Sequence, residues 1–379
     1  MAEEEQLQWL HKLRHMNYQT PFMVTDLGIA RKNVEALKRL MPRVELFYAI
    51  KSNNDPQIVY SIDDLIDGYE IASIGEFNQL KALGVRSDRI IFSNPVKIPG
   101  HIEQAYQENV THFAYDSIAE IKKLAQLAPG AQVYTRLKVP DKSSQFPLSR
   151  KFGLSPEQAI EYAMLARDTG LKPVGIAFHV GSQSEESHSW EIAIKLCGHI
   201  IRELRKKGIE TTIVNIGGGI PAPYTHTDIH LEEIADAINA SVDQYIPSDI
   251  RIIAEPGRSI SASSSVIVTS IIGRETREGG EEWLFLDMGV FQGLIEPLEM
   301  PSWRYRIFMR NRKRTGRHIP FVLTGPSCDA YDTIGSNYSL PRTVDVDDQL
   351  CIGSTGAYTT VYKSNFNGFE PPKTYYLST

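Results

Sequence analysis

The chain has 379 residues, of which 42% are hydrophobic and 23% are charged, and its formal net charge is -6 with a sequence pI near 6.0. This length suits two domains, and this composition is that of a globular protein, which excludes disordered and collagen-like chains. The acidic balance argues against a nucleic-acid groove, and no apolar stretch approaches the length of a membrane span.

The cysteines and the N-terminal residues indicate the cellular compartment in which the protein is expected. Cys197, Cys328 and Cys351 are odd in number and widely spaced, which argues against a disulfide framework and against a zinc site. We therefore expect a reducing, cytoplasmic setting and no bound metal. The first residues are acidic and lack the basic-then-apolar order of a signal peptide, so neither export nor membrane association is expected.

The first 27 residues hold a short amphipathic helix, Gln6 to Arg14, and an isolated strand around Phe22. A regular alternation then begins. Eight short apolar runs are predicted to be strands: 44–50, 69–73, 89–93, 111–116, 132–139, 174–180, 212–216 and 250–254. Segments with helical apolar spacing lie before and between them: 29–41, 55–65, 75–83, 98–109, 117–127, 156–169, 187–207 and 230–245.

This alternation predicts an α/β fold in which residues 28–257 form a (β/α)8 TIM-like barrel. The alternative is a Rossmann-like open sheet, but no G-x-G-x-x-G sequence follows the first strand. After residue 257 the helical period ends, and short strands are predicted at 265–272, 283–286, 319–323, 349–352 and 374–377, with a turn at Gly279-Gly280. Residues 258–379 are thus expected to form a mainly β C-terminal domain, joined by the strand from residues 1–27.

The first barrel strand runs into a lysine, in Tyr-Ala-Ile-Lys51-Ser-Asn. A barrel keeps its chemistry at the carboxyl ends of its strands. There, apolar walls lower the pKa of a lysine, and its neutral amine can attack carbonyl carbon as a Schiff-base lysine. The alternative for Lys51 alone is a strand-end lysine that reaches solvent.

The ends of the other strands favour the Schiff-base interpretation. Gly217, Gly218 and Gly219 follow the seventh strand, and three glycines let backbone N–H groups approach an anion. With Ser182 and Arg258 they predict a phosphate cradle. An aldehyde-reactive lysine and a phosphate cradle at one barrel mouth together indicate pyridoxal 5'-phosphate. Glu255 is then placed to hold a protonated pyridine nitrogen, and a neutral His179 to lie on the ring.

Seven motifs carry a resemblance that spans nearly the whole chain. They are Tyr-Ala-Ile-Lys-Ser-Asn, Phe-His-Val-Gly-Ser-Gln, Asn-Ile-Gly-Gly-Gly-Ile-Pro, Glu-Pro-Gly-Arg-Ser, Gly-Pro-Ser-Cys-Asp-Ala-Tyr-Asp, Gly-Ala-Tyr-Thr and Phe-Asn-Gly-Phe. In this order they resemble the fold-type III pyridoxal-phosphate decarboxylases, and within them the ornithine and lysine decarboxylase branch. The resemblance implies an alanine-racemase-like barrel and a homodimer.

The resemblance also implies a role for each matching residue. Lys51 would bond the cofactor, Glu70 would neighbour Lys51, and Arg136 would lie near the phenolic oxygen. Tyr358 would join the phosphate cradle. Cys328, as proton donor, and Asp329, on the distal amine of a small amino-acid substrate, would act across the interface of a dimer with shared active sites.

One stretch departs from the family pattern. After Asp287-Met288-Gly289, family members continue to a tyrosine-aspartate pair that binds the distal amine, whereas this chain has Glu296 and Glu299 in the region that follows. Either glutamate is a candidate substrate-binding residue. The expected reaction is decarboxylation of ornithine or lysine to a diamine and CO2.

Three alternatives stay open or are disfavoured. Diaminopimelate decarboxylation shares the barrel motifs, but Asp329 favours a cationic distal group. Racemisation is disfavoured because related racemases place arginine, where this chain has Glu255, against the pyridine nitrogen. A non-catalytic pyridoxal-phosphate-binding homologue is the third, although such proteins lack the β domain or lose cofactor residues.

Overall fold

The computed structural model describes residues 2–224, 229–311 and 316–377. They form two compact units. The barrel unit comprises Arg31–Pro221 and Ile229–Ile260, and the β unit comprises the described residues of Met1–Ala30, Ala222–Asp228 and Ser261–Thr379. The ranges predicted from the sequence, 1–27, 28–257 and 258–379, include Met1, 225–228, 312–315 and 378–379, which lie outside the described residues.

The strands of the described residues are numbered along the chain. They are β1 (Phe22–Asp26), β2 (Val44–Ala49), β3 (Gly68–Ile71), β4 (Ile90–Phe92), β5 (His112–Tyr115), β6 (Gln132–Arg136), β7 (Ser144–Phe146), β8 (Lys172–Ala177), β9 (Ser182–Ser184), β10 (Ile213–Asn215), β11 (Arg251–Ala254), β12 (Ser265–Thr276), β13 (Glu282–Leu286), β14 (Arg306–Met309), β15 (His318–Thr324), β16 (Thr333–Pro341), β17 (Gln349–Gly353) and β18 (Lys373–Leu377).

The helices of the described residues are numbered in the same way. They are α1 (Ala2–Leu13), α2 (Leu27–Leu40), α3 (Pro56–Ile62), α4 (Ile74–Ala82), α5 (Pro99–Gln107), α6 (Ile118–Leu127), α7 (Pro156–Asp168), α8 (His188–Lys206), α9 (Leu231–Tyr245), α10 (Arg258–Ser261) and α11 (Glu296–Glu299). None of these described helices is long and apolar enough to cross a bilayer.

Eight parallel strands close the barrel in the order β2-β3-β4-β5-β6-β8-β10-β11, and β11 pairs with β2. The predicted (β/α)8 barrel is confirmed, because each of its eight strands overlaps a predicted apolar run. Phe47, Ile91, Ile213 and Ile253 from four strands of the closed sheet form one buried cluster. Such layers of branched and aromatic side chains fill a barrel and leave its chemistry to the carboxyl ends of the strands.

Side chains at the starts of the helices fix where several of them begin. At α7 the Ser155 hydroxyl accepts from the Gln158 amide at 3.3 Å, and the Gln158 side chain accepts from the Ser155 amide at 3.1 Å. This capping box, followed by Pro156, satisfies backbone donors that the helix itself cannot. Asp55, Ser73 and Ser117 cap α3, α4 and α6 with a side-chain oxygen that accepts from a backbone amide in the first turn.

The β unit is built on one mixed sheet with the order β14-β17-β12-β13-β15-β16. The N-terminal strand β1 pairs antiparallel with β12 and parallel with β18. Helix α1 packs Trp9 and Leu13 on this sheet, in a buried cluster with Phe22 and Val266. The mainly β second domain predicted from the sequence is thus confirmed.

Four strands were not predicted: β7, β9, β14 and β16. The pair β7–β9 joins residues about forty positions apart, Ser144 with Ser184 and Phe146 with Ser182. No local sequence pattern therefore predicts this pairing. Strand β16 contains Gly335 and Asn337, both at positive φ, and its register with β15 shifts. These irregularities interrupt the period-two alternation on which strand prediction depends.

Candidate active site

Lys51 stands in a short 3-10 turn, Ile50–Ser52, directly after β2. Its Nζ lies 2.7 Å from Oε2 of Glu70, near the end of the neighbouring strand β3. The pairing of Ala49 with Glu70 brings the two side chains together. The Lys51 side chain is 39% exposed and that of Glu70 only 1%, so the amine is accessible while its counter-ion is buried.

The pKa of Glu70 is raised to about 7: burial raises it most, the positive charge of Lys51 opposes this, and the nearby carboxylates of Glu255 and Glu76 add to it. Glu76, on α4, accepts from the Ala72 amide at 2.6 Å, and burial raises its pKa also. Glu76 was not among the site residues predicted from the sequence. Near the carboxyl ends of the barrel strands, Glu70, Glu76 and Glu255 are therefore carboxyl groups whose protonation states depend on one another.

Glu255 follows β11 and is buried. Its Oε1 accepts two hydrogen bonds, from the Ser93 hydroxyl after β4 and from Nδ2 of Asn215 on β10 at 2.6 Å. Two donors compensate a buried carboxylate for the water that it lacks. Neither donor was predicted as a site residue, although Asn215 lies within a motif that was identified.

The turn after β10 is shaped by its glycines. A Cβ on Gly217, which has φ +64, would lie 2.2 Å from the Phe178 carbonyl oxygen, and one on Gly218 would lie 2.7 Å from the Glu255 carbonyl oxygen. The Gly217 amide donates to Oδ1 of Asn215 at 2.9 Å. A side chain at position 217 would therefore clash with the backbone. The amides of Gly218 and Gly219 donate to no other described residue.

Ser182 and Arg258, both predicted for the phosphate cradle, meet directly: Nε of Arg258 donates to the Ser182 hydroxyl at 3.1 Å. The guanidinium lies 5.3 Å from the centroid of the Phe146 ring. Phe146 reaches this position because β7 pairs with β9. This cation–π contact was not predicted, since it depends on the non-local strand pair.

His179 follows β8 and accepts a hydrogen bond at Nδ1 from the Gly181 amide, at 3.0 Å. Its ring proton therefore sits on Nε2. Burial lowers the pKa of His179 well below its usual value, and the positive charges of Arg136 and Lys51 lower it further. Burial also lowers the pKa of Arg136 at the end of β6, against the opposing effect of Glu255 and Glu70. These effects favour the neutral form of His179, the form in which it could lie against a cofactor ring.

The β unit holds the remaining predicted site residues. The exposed Cys328 directs Sγ to Oδ1 of Asn367 at 3.8 Å, and Asp329 accepts from the Tyr331 amide at 2.8 Å. Asp332, which was not predicted, is fully buried and accepts from the amides of Val290 and Ser327 at 2.8 and 3.0 Å. It fixes the start of the loop that carries Cys328.

The two candidate glutamates differ in environment. Glu296 is buried and accepts from the Tyr305 hydroxyl at 3.4 Å, whereas Glu299 is exposed. Tyr358 has φ +54, a left-handed conformation that is uncommon for a non-glycine residue. Such strain is often retained at a functional position.

A family model described as "Pyridoxal-dependent decarboxylase, pyridoxal binding domain" matches residues 27–262, more than half of the chain. The chain belongs to the pyridoxal-dependent decarboxylases. It is similar to the lysine/ornithine decarboxylase of Selenomonas ruminantium, with 34% identity over 351 residues that cover 92% of this chain and 88% of the relative.

Solved structures extend the likeness of this decarboxylase to the whole fold. The lysine/ornithine decarboxylase of Vibrio vulnificus complexed with cadaverine has a TM-score of 0.87 and 30% identity, covering 100% of this chain and 99% of that one. The arginine decarboxylase of Paramecium bursaria Chlorella virus has a TM-score of 0.90 and 27% identity, with 100% of both chains covered. The predicted family is thereby confirmed.

The barrel residues fit pyridoxal 5'-phosphate, the cofactor of this decarboxylase. Lys51 offers an accessible amine for an aldehyde, and the buried Glu255 offers an acceptor for a protonated ring nitrogen. The glycine turn offers the amides of Gly218 and Gly219, which donate to no other residue in the described part of the chain, and Arg258 offers a cation. This donor set matches an aldehyde, a pyridine and a phosphate in one molecule.

Proposed function

We propose that this decarboxylase converts a basic amino acid, ornithine or lysine, to the corresponding diamine with release of CO2. The observation that carries the proposal is the ion pair between the accessible amine of Lys51 and the buried carboxylate of Glu70, at 2.7 Å. A carboxylate with a pKa raised to about 7 can take up and return a proton of that amine near neutral pH.

The barrel residues would hold the cofactor. Lys51 would bond its aldehyde carbon, Glu255 its ring nitrogen, and His179 and Arg136 would contact the ring and its phenolic oxygen. The phosphate would be held by Ser182, Gly217, Gly218, Gly219, Arg258 and Tyr358. When bound, pyridoxal phosphate supplies an electron sink for the electron pair left by the departing carboxylate.

The protein's own groups would move the protons. Glu255, which accepts hydrogen bonds on one oxygen only within the described residues, would hold a proton on the ring nitrogen with the other. A neutral His179 would add no charge against that proton. After CO2 has left, Cys328 would give a proton to the substrate α-carbon, and Lys51 would displace the product amine.

The distal ammonium of the substrate would be recognised by Asp329, with Glu296 or Glu299 supplying a second carboxylate. A carboxylate that is buried without a cationic partner is destabilised by several kcal/mol. Substrates with an anionic tail, which leave these carboxylates unpaired, are therefore disfavoured. The similarity to enzymes named for lysine, ornithine and arginine supports a basic substrate.

The proposal includes a homodimer in which Cys328 and Asp329 of one subunit serve the barrel of the other. The exposed position of Cys328 in the single chain supports it. The three free cysteines support the proposed cytoplasmic location.

The direct test is CO2 release from ornithine, lysine, arginine and meso-diaminopimelate, with added pyridoxal phosphate. We expect turnover of ornithine or lysine with an equal amount of diamine. Borohydride should trap the cofactor on the wild-type protein but not on Lys51→Ala, while Lys122→Ala, an exposed lysine on α6, should behave as wild type.

Two outcomes would contradict the proposal in different ways. Preferential turnover of diaminopimelate would refute the basic substrate and leave the cofactor roles standing. A protein that is trapped by borohydride on Lys51 yet releases no CO2 from any of the four amino acids would favour the non-catalytic alternative.

A further inference from the structure

The Asn215 side chain joins two parts of the barrel site. Its Nδ2 donates to Oε1 of Glu255 at 2.6 Å, and its Oδ1 accepts from the Gly217 amide at 2.9 Å. The carboxylate is only an acceptor and the amide only a donor, so a single orientation of the Asn215 amide satisfies both contacts. One side chain therefore connects the carboxylate after β11 with the glycine turn after β10.

Asn215 is itself held firmly. It is buried at the end of β10, between Ala177 of β8 and Ile253 of β11 in the barrel register, and its carbonyl accepts from the Phe178 amide at 3.0 Å. The backbone adds a parallel link, because the Glu255 amide donates to the Gly217 carbonyl at 2.8 Å. The strand ends and the Asn215 side chain thus fix the spacing between the Glu255 carboxylate and the glycine turn.

Ser93 contacts Glu255 without reaching the glycine turn. Its hydroxyl donates to the same Oε1 and also contacts the Tyr134 hydroxyl of β6. Both donors to the Glu255 carboxylate therefore end on Oε1, and within the described part of the chain Oε2 accepts no hydrogen bond. Oε2 is the oxygen available to a pyridine N–H.

We propose that Asn215 is a positioning residue that holds the Glu255 carboxylate and the Gly217–Gly219 turn at one spacing, matched to the ring nitrogen and the phosphate of the same cofactor molecule. Ser93 supports only the ring-nitrogen end. This inference rests on the proposed function, since it takes Glu255 and the glycine turn as the two ends of the pyridoxal-phosphate site.

The test compares the affinities of the protein, freed of cofactor, for pyridoxal phosphate and for pyridoxal, which lacks the phosphate. The ratio of the two affinities reports the contribution of the phosphate cradle alone. Loss of one hydrogen bond to a charged group corresponds to about tenfold in affinity. Ser93→Ala should weaken both ligands by about tenfold and leave the ratio unchanged.

Asn215→Ala removes both contacts, so it should weaken pyridoxal by about tenfold and also lower the ratio several-fold. Asn215→Ser keeps a hydroxyl that can accept from the Gly217 amide but cannot reach Glu255, and should therefore resemble Ser93→Ala. Asn239→Ala, at a hydrogen-bonded asparagine on α9, is the matched control and should change neither affinity.

The outcomes separate the claims. An Asn215→Ala protein that is folded by circular dichroism and keeps the wild-type ratio refutes the link to the glycine turn. If that variant does not fold, Asn215→Ser decides, because wild-type affinity for pyridoxal in it refutes the link to Glu255. A wild-type protein that binds neither aldehyde refutes the proposed function and this inference together.

Discussion

Folding buries Glu70 and His179 and shifts their pKa values in opposite directions. The pKa of Glu70 is raised from 4.5 to about 7, mainly by burial, so the folded state binds a proton that the unfolded state has lost between these values. The stability of the protein without cofactor therefore falls as pH rises through that window. The pKa of His179 is lowered from 6.5, again mainly by burial, so below 6.5 the unfolded state binds the extra proton and stability rises with pH.

Two substitutions should separate these opposed contributions. Relative to wild type, Glu70→Gln should gain stability as pH rises from about 5 to about 7, by up to ~3 kcal/mol, since one pKa unit corresponds to ~1.4 kcal/mol. His179→Asn should instead lose stability relative to wild type as pH rises towards 6.5. Urea unfolding of the cofactor-free proteins across this range measures both.

Glu161→Gln, at an exposed position on α7, is the control and should run parallel to wild type at every pH. A Glu70→Gln protein that also runs parallel would show that Glu70 is ionised in the folded protein at pH 5. It would then not exchange a proton with Lys51 near neutral pH.

The locations of Lys51, His179 and Glu255 were predictable because each lies at the end of a strand. Each follows an apolar run, so its place at the barrel mouth depends only on local sequence. Ser93 and Asn215 could not be assigned in this way, because their partner Glu255 lies 162 and 40 residues away. A serine after a strand has many possible partners, and only the closed barrel selects one.

The glycine turn after β10 is the element on which the cofactor roles depend most. A Cβ on Gly218 would lie 2.7 Å from the Glu255 carbonyl oxygen and 3.2 Å from Nε2 of His179. Gly218→Ala should therefore displace the turn and weaken pyridoxal phosphate by at least tenfold, measured by the absorbance of the bound cofactor. Gly100→Ala is the matched control, because a Cβ there meets nothing within 4 Å.

The control should bind the cofactor as wild type does, and alanine at this helical position should add up to about 1 kcal/mol of stability. Equal affinities for all three proteins would mean that the turn does not approach the phosphate.

The strands of the barrel were predictable from the sequence, whereas some strands of the β unit were not. In the barrel each strand is a nearly continuous apolar run, because both faces are buried, and side chains cap the helices α3, α4, α6 and α7. In the β unit, β14 has only four residues, and β16 is interrupted by positive-φ residues. Their pairing is decided by tertiary contacts with β17 and β15, which the local sequence does not contain.

For the whole molecule, seven motifs spread along the chain predicted the family, which the matches over nearly the full length confirm. The substrate and the assembly are not fixed by these motifs. The departure after Gly289 changes the residues available for a distal amine, and Glu296 and Glu299 lie in quite different environments. The exposed Cys328 would take part in catalysis only through the partner surface of the proposed dimer.

The proposed sharing of active sites between two subunits predicts complementation between inactive subunits. Lys51→Ala removes the cofactor-bonding amine from the barrel, and Cys328→Ala removes the proposed proton donor from the β unit. If each site takes Lys51 from one subunit and Cys328 from the other, a mixed dimer contains one intact site and one doubly defective site. Random exchange makes half of the dimers mixed, so an equal mixture should recover about a quarter of wild-type activity.

The matched control mixes Lys51→Ala with the double variant Lys51→Ala/Cys328→Ala, which contains no intact site in any pairing and should stay inactive. Differently tagged subunits purified in sequence show that mixed dimers have formed, and CO2 release from the preferred substrate measures recovery. Mixed dimers without activity would mean that Lys51 and Cys328 act within one subunit. In that case the exposed Cys328 would have to reach the barrel of its own chain, and the proposed dimer would have no catalytic role.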